Sequence, residues 1–205
     1  MISSSSSIIK DLEAERKAGL ASLAYYYFDF KDTNKQDLRG LLSSLLLQLT
    51  ARSNTCYDIL DQLYVEHEKG SRQPSERDLI KCLLRVLAFP GQGKLYIIVD
   101  ALDECPHNLG TPTSREKVLE FVDKLLSLRL HHVRICITSR PEVDIQSSLG
   151  HLTSHCVSLH DQSGQRKDII DYIEHFVESD RRMEKWRKED KELVIKTLAQ
   201  KAQGM

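Results

Sequence analysis

The chain has 205 residues, of which 40% are hydrophobic and 29% charged, and its formal net charge is −1. This composition is typical of one globular domain, or of one domain with part of a second, that can bury a sizeable core. The nearly neutral charge provides no field to attract nucleic acid or anionic lipid, and the apolar runs are far shorter than the roughly 20 residues of a membrane span.

The first residues contain neither the basic region nor the apolar segment of a signal peptide. The five cysteines are odd in number and widely spaced, which predicts free thiols rather than a disulfide framework. Their spacing relative to the histidines matches no usual zinc pattern, so no cysteine–histidine metal site is expected. We therefore expect a cytoplasmic protein.

The first predicted elements are a helix over residues 8–17, after a serine tract, and a strand over residues 21–30. The strand is indicated by its aromatic content. Its tyrosines, Tyr25, Tyr26 and Tyr27, could form a base-stacking platform. Because successive strand residues point to opposite faces, packing in the core and at its edge is the favoured interpretation.

The clearest amphipathic helix in the sequence covers residues 38–49, where leucines repeat at intervals of three and four. Thr33 and Gln36 form a capping-box pattern ahead of it. A second helix is predicted near residues 57–68, and the glycine and proline of residues 70–74 interrupt it.

Strands and helices alternate in the next part of the chain, which predicts an α/β fold with a parallel sheet. Ser75 and Asp78 predict the capped start of a helix. The strands that follow are predicted at residues 95–99, 133–138 and 156–159, with helices at residues 114–128 and 143–149. Helices near residues 165–177 and 193–202 predict a helical subdomain over residues 163–205, after an α/β core over residues 1–162.

Three carboxylates follow the apolar strand at residues 95–99, namely Asp100, Asp103 and Glu104. Open α/β sheets bind ligands beyond the carboxyl ends of their strands. Carboxylates at this place can hold hydrated Mg²⁺ against phosphates and polarise an attacking water. The alternative interpretation is that these acids only mark where the chain emerges into water.

The strand predicted at residues 133–138 ends in Thr138, Ser139 and Arg140. A guanidinium at this position can make a bidentate contact with a terminal phosphate. An isolated loop arginine would more simply face solvent. The predicted position of this strand beside the acidic one favours the phosphate contact.

The apolar run, Asp100, a small residue, an apolar residue and Asp103-Glu104 resemble the Walker B motif of NACHT-type NTPases of the STAND class. Nearly the whole chain resembles the fungal NACHT and nephrocystin-like N-terminal domains. The other matching segments are residues 24–30, the leucine helix, residues 72–75, residues 100–106, residues 138–140 and residues 201–205. The resemblance implies a P-loop NTPase-like parallel sheet with flanking helices.

The resemblance also implies roles for the candidate residues. Asp100 would hold Mg²⁺ through water, Asp103 and Glu104 would position or activate the attacking water, and Arg140 would sense the γ-phosphate of ATP or GTP. In the family this module is a nucleotide-driven switch between a variable effector and a repeat array. That arrangement implies protein partners bound through regions outside this chain, and nucleotide-driven self-association.

One motif of that family is missing, since no Gly-x-x-x-x-Gly-Lys-Ser/Thr phosphate cradle occurs in the 205 residues. The Gly-Gln-Gly-Lys of residues 91–94 is no substitute, because Leu95 follows the lysine and the segment leads into a strand. The family sheet has the order 2-3-4-1-5, with the P-loop strand as strand 1. We therefore expect a truncated core that begins after the P-loop, lacks this central strand and is inactive alone. The alternative hypothesis is a nucleotide-independent protein-interaction or scaffold module with a relic acidic motif.

Overall fold

The computed structural model describes residues 4–51, 53–90, 92–107, 112–157, 163–180 and 182–201. The chain divides into two compact units, Met1–Leu152 and Thr153–Met205. In the described residues the first unit has the α/β architecture that the sequence predicts, and the second contains two helices. The predicted boundary between residues 162 and 163 stays a prediction.

The helices lie close to their predicted positions. They are α1 Ser4–Lys17, α2 Leu38–Thr50, α3 Asn54–Glu66, α4 Glu76–Leu87, α5 Ser114–Ser127, α6 Val143–Leu149, α7 Ser163–Ser179 and α8 Lys188–Lys201. The strands are β1 Ala21–Tyr27, β2 Lys94–Asp100 and β3 Val133–Ile137. Short 3-10 turns occupy Thr33–Lys35, Glu68–Gly70 and Leu102–Glu104.

The three strands form one parallel sheet in the order β1-β2-β3. Tyr27 of β1 lies opposite Asp100, and Val99 of β2 lies opposite Ile137. The chain passes through α2, α3 and α4 between the first two strands, and through α5 between the second pair. The predicted contiguity of these strands is confirmed, and their carboxyl ends lie side by side at one edge of the sheet.

The predicted strand at residues 156–159 is not found in its described half. Cys156 and Val157 belong to no strand, and the other two residues lie outside the described part of the chain. Within the described residues, β3 pairs with β2 alone.

The main core lies on one side of the sheet. The leucines that define the amphipathic face of α2 are all buried, as are Leu95, Ile97 and Val99 of β2. On the other side, Ile98 packs with Ile9 of α1 and Leu23 of β1. Strand β2 is therefore buried on both faces, which explains its uninterrupted apolar sequence.

The three tyrosines of β1 alternate between the two faces, as predicted. Tyr26 is buried in the main core, with its ring edge-to-face against Phe28 at 5.0 Å between ring centres. Tyr25 and Tyr27 lie on the opposite face, with ring centres 5.6 Å apart. Burial raises the pKa of the Tyr26 hydroxyl. This alternation places one ring in the main core and two on the other face of the sheet, as the packing interpretation predicts.

The predicted capping box of Thr33 and Gln36 is wrong. The N-cap of α2 is Asp37, whose carboxylate accepts a hydrogen bond from the Gly40 amide at 2.8 Å. Thr33 instead begins a 3-10 turn, and the Gln36 side chain donates to the carbonyl oxygen of Phe30 at 2.7 Å. The local spacing is also compatible with a start at Asp37, whose carboxylate caps α2, while the Gln36 side chain is engaged with the loop after β1.

The capping box of Ser75 and Asp78 at the start of α4 is confirmed. A second box, formed by Thr113 and Glu116, begins α5. In both, the N-cap hydroxyl accepts a hydrogen bond from the N3 amide, and the N3 carboxylate accepts one from the N-cap amide. These bonds satisfy amides that have no partner within the helix.

In its described residues the second unit contains the helices α7 and α8. Val177 is buried, and the rings of Tyr172 and Phe176 stack with centres 6.4 Å apart. Both predicted helices of this region are confirmed. Among the helices described in either unit, none has the length and apolar character needed to span a membrane.

Candidate functional site

The exits of the three strands are joined by backbone hydrogen bonds at the carboxyl edge of the sheet. The Phe28 amide donates to the carbonyl oxygen of Asp100 at 3.1 Å, and the Thr138 amide donates to that of Val99 at 2.9 Å. Strand pairing thus continues past the end of β1 and of β3. It brings the acidic segment of β2 between the two neighbouring loops.

Asp100 is the last residue of β2, and its side chain is oriented by Thr138. The Thr138 hydroxyl donates a hydrogen bond to Asp100 Oδ1, and its oxygen accepts a hydrogen bond from the Ala101 amide at 3.1 Å. The Leu102 amide donates to the carbonyl oxygen of Thr138 at 3.0 Å. Sequence analysis did not assign this role to Thr138, although its place at the exit of the adjacent strand was a usable signal.

The backbone turns sharply after Asp100. Ala101 has φ 54° and ψ 48°, in the left-handed region, which costs a residue with a Cβ roughly 1 kcal/mol or more. The following turn is anchored by Leu102, whose side chain is fully buried. The strained residue separates Asp100 from Asp103 and Glu104, which lie in the turn that follows it.

Asp103 and Arg140 are in direct contact. The Asp103 carboxylate accepts a hydrogen bond from the Arg140 amide at 3.0 Å, and its other oxygen lies 3.4 Å from Arg140 Nε. The Asp103 side chain is 11% exposed, whereas that of Arg140 is 81% exposed. The structure therefore brings these two predicted site residues together, and it leaves most of the guanidinium accessible from solvent.

Glu104 is tied to the loop after β1. Its carboxylate accepts a hydrogen bond from the Phe30 amide at 3.2 Å. That loop is itself held by Gln36 and by Asp29, whose carboxylate accepts the Lys31 amide at 2.9 Å. The acidic motif therefore contacts both neighbouring strand exits, through Glu104 on one side and Asp103 on the other.

A buried arginine that sequence analysis missed contacts the backbone of the acidic motif. Arg115, near the start of α5, donates to the carbonyl oxygens of Asp103 at 2.6 Å and Cys105 at 2.9 Å. It also pairs with Asp144 of α6 at 3.2 Å. A basic residue in the first turn of a helix looks locally like an ordinary solvated side chain, so no local signal marked Arg115 as buried.

All five cysteines are free. Cys105 follows the acidic motif and is buried, and its thiol donates to the carbonyl oxygen of Gln36 at 3.3 Å. Burial raises the pKa of this thiol to about 12, which makes it a poor nucleophile near neutral pH. Cys105 thus contributes to packing at the site rather than to nucleophilic chemistry.

Among the described residues, no group of three or more histidine, cysteine, aspartate and glutamate side chains is arranged to hold a metal ion. Mg²⁺ does not require such a group, because it is usually held by one or two carboxylates and completes its shell with water and phosphate oxygens. The Asp100 carboxylate, which the Thr138 hydroxyl orients, fits that chemistry. It would suit Mg²⁺ bound together with a nucleotide better than a metal held by protein alone.

The glycine-lysine segment before β2 lies away from this site. Lys94 is the first residue of β2, at the end of the strand opposite Asp100. The prediction that this segment leads into a strand is confirmed, so its lysine is not positioned as a P-loop lysine.

A comparison with protein-family models matches residues 3–140 to the family described as "Nephrocystin 3, N-terminal". The matched region contains all three strands, the acidic motif and Arg140. Comparisons with curated proteins and with solved structures find no match. Because the family model covers more than half of the 205 residues, the chain belongs to the nephrocystin 3 N-terminal family.

Proposed function

We propose that the α/β unit is the Walker B and sensor part of a NACHT-type, STAND-class NTPase core, which acts as a nucleotide-driven switch. The observation that carries this proposal is the contact between Asp103 and Arg140 across the exits of β2 and β3. It unites an acidic residue and an exposed guanidinium at the edge where parallel sheets bind ligands.

The proposed roles follow from the surroundings of each side chain. Asp100, oriented by Thr138, would hold Mg²⁺ through water, and the ion would neutralise charge on the phosphates when bound. Arg140 would contact the terminal phosphate of ATP or GTP. Asp103 and Glu104 would position or activate the attacking water.

The phosphate cradle would have to come from a P-loop that the 205 residues do not contain. Without its amides and lysine, the acidic edge of the sheet repels a polyanion. We therefore propose that this chain alone is incompetent for nucleotide binding. The proposal extends to a cytoplasmic location, to protein partners, and to self-association driven by nucleotide.

A second candidate function is a nucleotide-independent protein-interaction module with a relic acidic motif. It is favoured by the hydrogen bonds that already engage Asp103 and Glu104 within the chain. In that case the carboxylates would serve only to hold the three strand exits together.

The two functions are separated by supplying a strand with Gly-x-x-x-x-Gly-Lys-Ser upstream of residue 1 and titrating with Mg·ATP and Mg·GTP. The first function predicts that binding appears. Glu104→Gln should then reduce hydrolysis and spare binding, whereas Asp100→Asn should weaken the Mg²⁺-dependent binding itself.

Asp61→Asn, at an exposed acid of α3, is the matched control and should change neither property. Equal loss of binding in the Asp100 and Glu104 variants would contradict the roles assigned to them. A folded protein that contains the P-loop and still binds no nucleotide would favour the interaction module.

A further inference from the structure

The side chain of Arg115 spans the backbone on both sides of Glu104. Its Nη2 donates to the carbonyl oxygen of Asp103 at 2.6 Å, and its Nε donates to that of Cys105 at 2.9 Å. The Arg115 amide also donates to the carbonyl oxygen of Pro106 at 3.1 Å. One residue of α5 thus fixes three carbonyl groups of the loop that carries the acidic motif.

The same guanidinium reaches the segment that follows Arg140. Its Nη1 lies 3.2 and 3.4 Å from the two carboxylate oxygens of Asp144, the second residue of α6. The Glu142 amide donates to the carbonyl oxygen of Arg140 at 2.8 Å, so a tight turn connects Arg140 to this helix. His107, whose Nδ1 lies 3.5 Å from Asp144 Oδ2, joins the same cluster from the segment that follows the acidic motif.

The contacts between Arg115 and Asp144 are largely shielded from solvent. The side chain of Arg115 is 9% exposed and that of Asp144 is 25% exposed. A buried guanidinium without partners is costly, so its donors hold the groups they contact in a fixed arrangement. The planar fork of arginine can reach carbonyl oxygens and a carboxylate at once, whereas a lysine ammonium at this site would act as a point charge.

We propose that Arg115 is a positioning residue that couples the acidic loop, residues 101–105, to the turn of Arg140 through Asp144. A displacement of that turn moves the start of α6 and hence the guanidinium that holds the carbonyl groups around Glu104. The inference rests on the proposed function for its purpose, since the two coupled segments carry the residues assigned to metal, water and phosphate. The coupling itself is a property of the nucleotide-free chain.

The test is amide hydrogen exchange, followed by NMR on the 205-residue chain without nucleotide. Asp144→Asn removes the carboxylate charge and keeps its shape. We expect the amides of Arg140 and Cys105 to exchange about tenfold faster. Losing the charged hydrogen bond between Arg115 and Asp144 lowers the free energy of local opening, and exchange becomes faster as a result. Both amides are hydrogen-bonded in the structure, to Asp103 Oδ1 and to the carbonyl oxygen of Leu102. The amides of β2 should be unchanged.

Arg115→Lys should produce the same paired change. Lys117→Met is the matched control, because Lys117 lies on the same helix and pairs with Glu76 of α4 at 3.3 Å. It should leave both loop amides unaltered. If Arg115→Lys does not fold, Asp144→Asn decides the question, since Asp144 is the less buried partner.

Faster exchange at Cys105 with no change at Arg140 in Asp144→Asn would overturn the coupling. Equal acceleration throughout β2 would also overturn it, because Arg115 would then act only on global stability. Failure of the proposed function has a different signature, namely an intact paired response in a chain that binds no nucleotide even with a P-loop supplied.

Discussion

The Thr138 hydroxyl donates a hydrogen bond to the Asp100 carboxylate and accepts one from the Ala101 amide. A single side chain at the exit of β3 therefore orients the acid that ends β2 and supports the strained residue that follows it. Thr138 lies 38 positions after Asp100 and 37 after Ala101 in the sequence, and the parallel pairing of β2 with β3 brings them together.

Thr138→Val should destabilise the chain by about 1–2 kcal/mol. Valine keeps the shape of threonine, but it leaves the Asp100 carboxylate and the Ala101 amide without this partner in a half-buried place. Urea denaturation measures the change. Thr138→Ser, which keeps the hydroxyl, should recover most of the stability, and equal stabilities of the serine and valine variants would contradict the role of the hydroxyl.

Substitutions at Ala101 should follow its left-handed backbone, with φ 54°. Ala101→Gly should stay within about 1 kcal/mol of the original stability, because the relief of strain offsets the added freedom of the unfolded chain. Ala101→Val should be at least about 1 kcal/mol less stable than the glycine variant, since a β-branched residue fits this region poorly. Thermal denaturation of the two variants provides the comparison, and the reverse order of stabilities would refute it.

The capping boxes should make stability depend on acid pH. Hydrogen bonds from Ser75 lower the pKa of Asp78, and hydrogen bonds from Thr113 lower the pKa of Glu116. A carboxyl whose pKa is lower in the folded than in the unfolded chain stabilises above the unfolded pKa of about 4, and this stabilisation is lost as pH falls through the folded value.

The urea midpoint should therefore fall on acidification below about pH 4, and Asp78→Asn should reduce the slope of that fall. Asp61→Asn, on the exposed side of α3, serves as the control. A midpoint for Asp78→Asn that falls as steeply as that of the original chain would show that this carboxylate does not contribute.

The chain of 205 residues should bind Mg·ATP with a dissociation constant no lower than about 1 mM. This limit corresponds to a standard binding free energy of about −4 kcal/mol. The sequence contains no P-loop, and three carboxylates at the sheet edge oppose a polyanion when the phosphate-binding amides are absent. Isothermal titration calorimetry tests this, and micromolar binding would disprove it. The Asp100→Asn variant serves as a control, because removing one negative charge should not improve binding beyond the millimolar range.

Much of the fold is determined by local sequence patterns. The leucines of α2 repeat at helical spacing, and the uninterrupted apolar run of β2 is typical of a strand buried on both faces. The capping box of Ser75 is also a local pattern, complete within four residues. Such features are predictable because the residues that form them are close in sequence.

The sequence by itself also determined which residues end the strands, and so it placed Asp100, Asp103 and Arg140 at one edge of the sheet. Only the tertiary structure decided what these side chains contact. Three contacts join separate segments of the chain. They are the pairing of Asp103 with Arg140, the hydrogen bond from Phe30 to Glu104, and the hydrogen bond from the buried Arg115 to Asp103. No local spacing encodes such contacts, because they depend on which loops the packed sheet and helices bring within hydrogen-bonding distance.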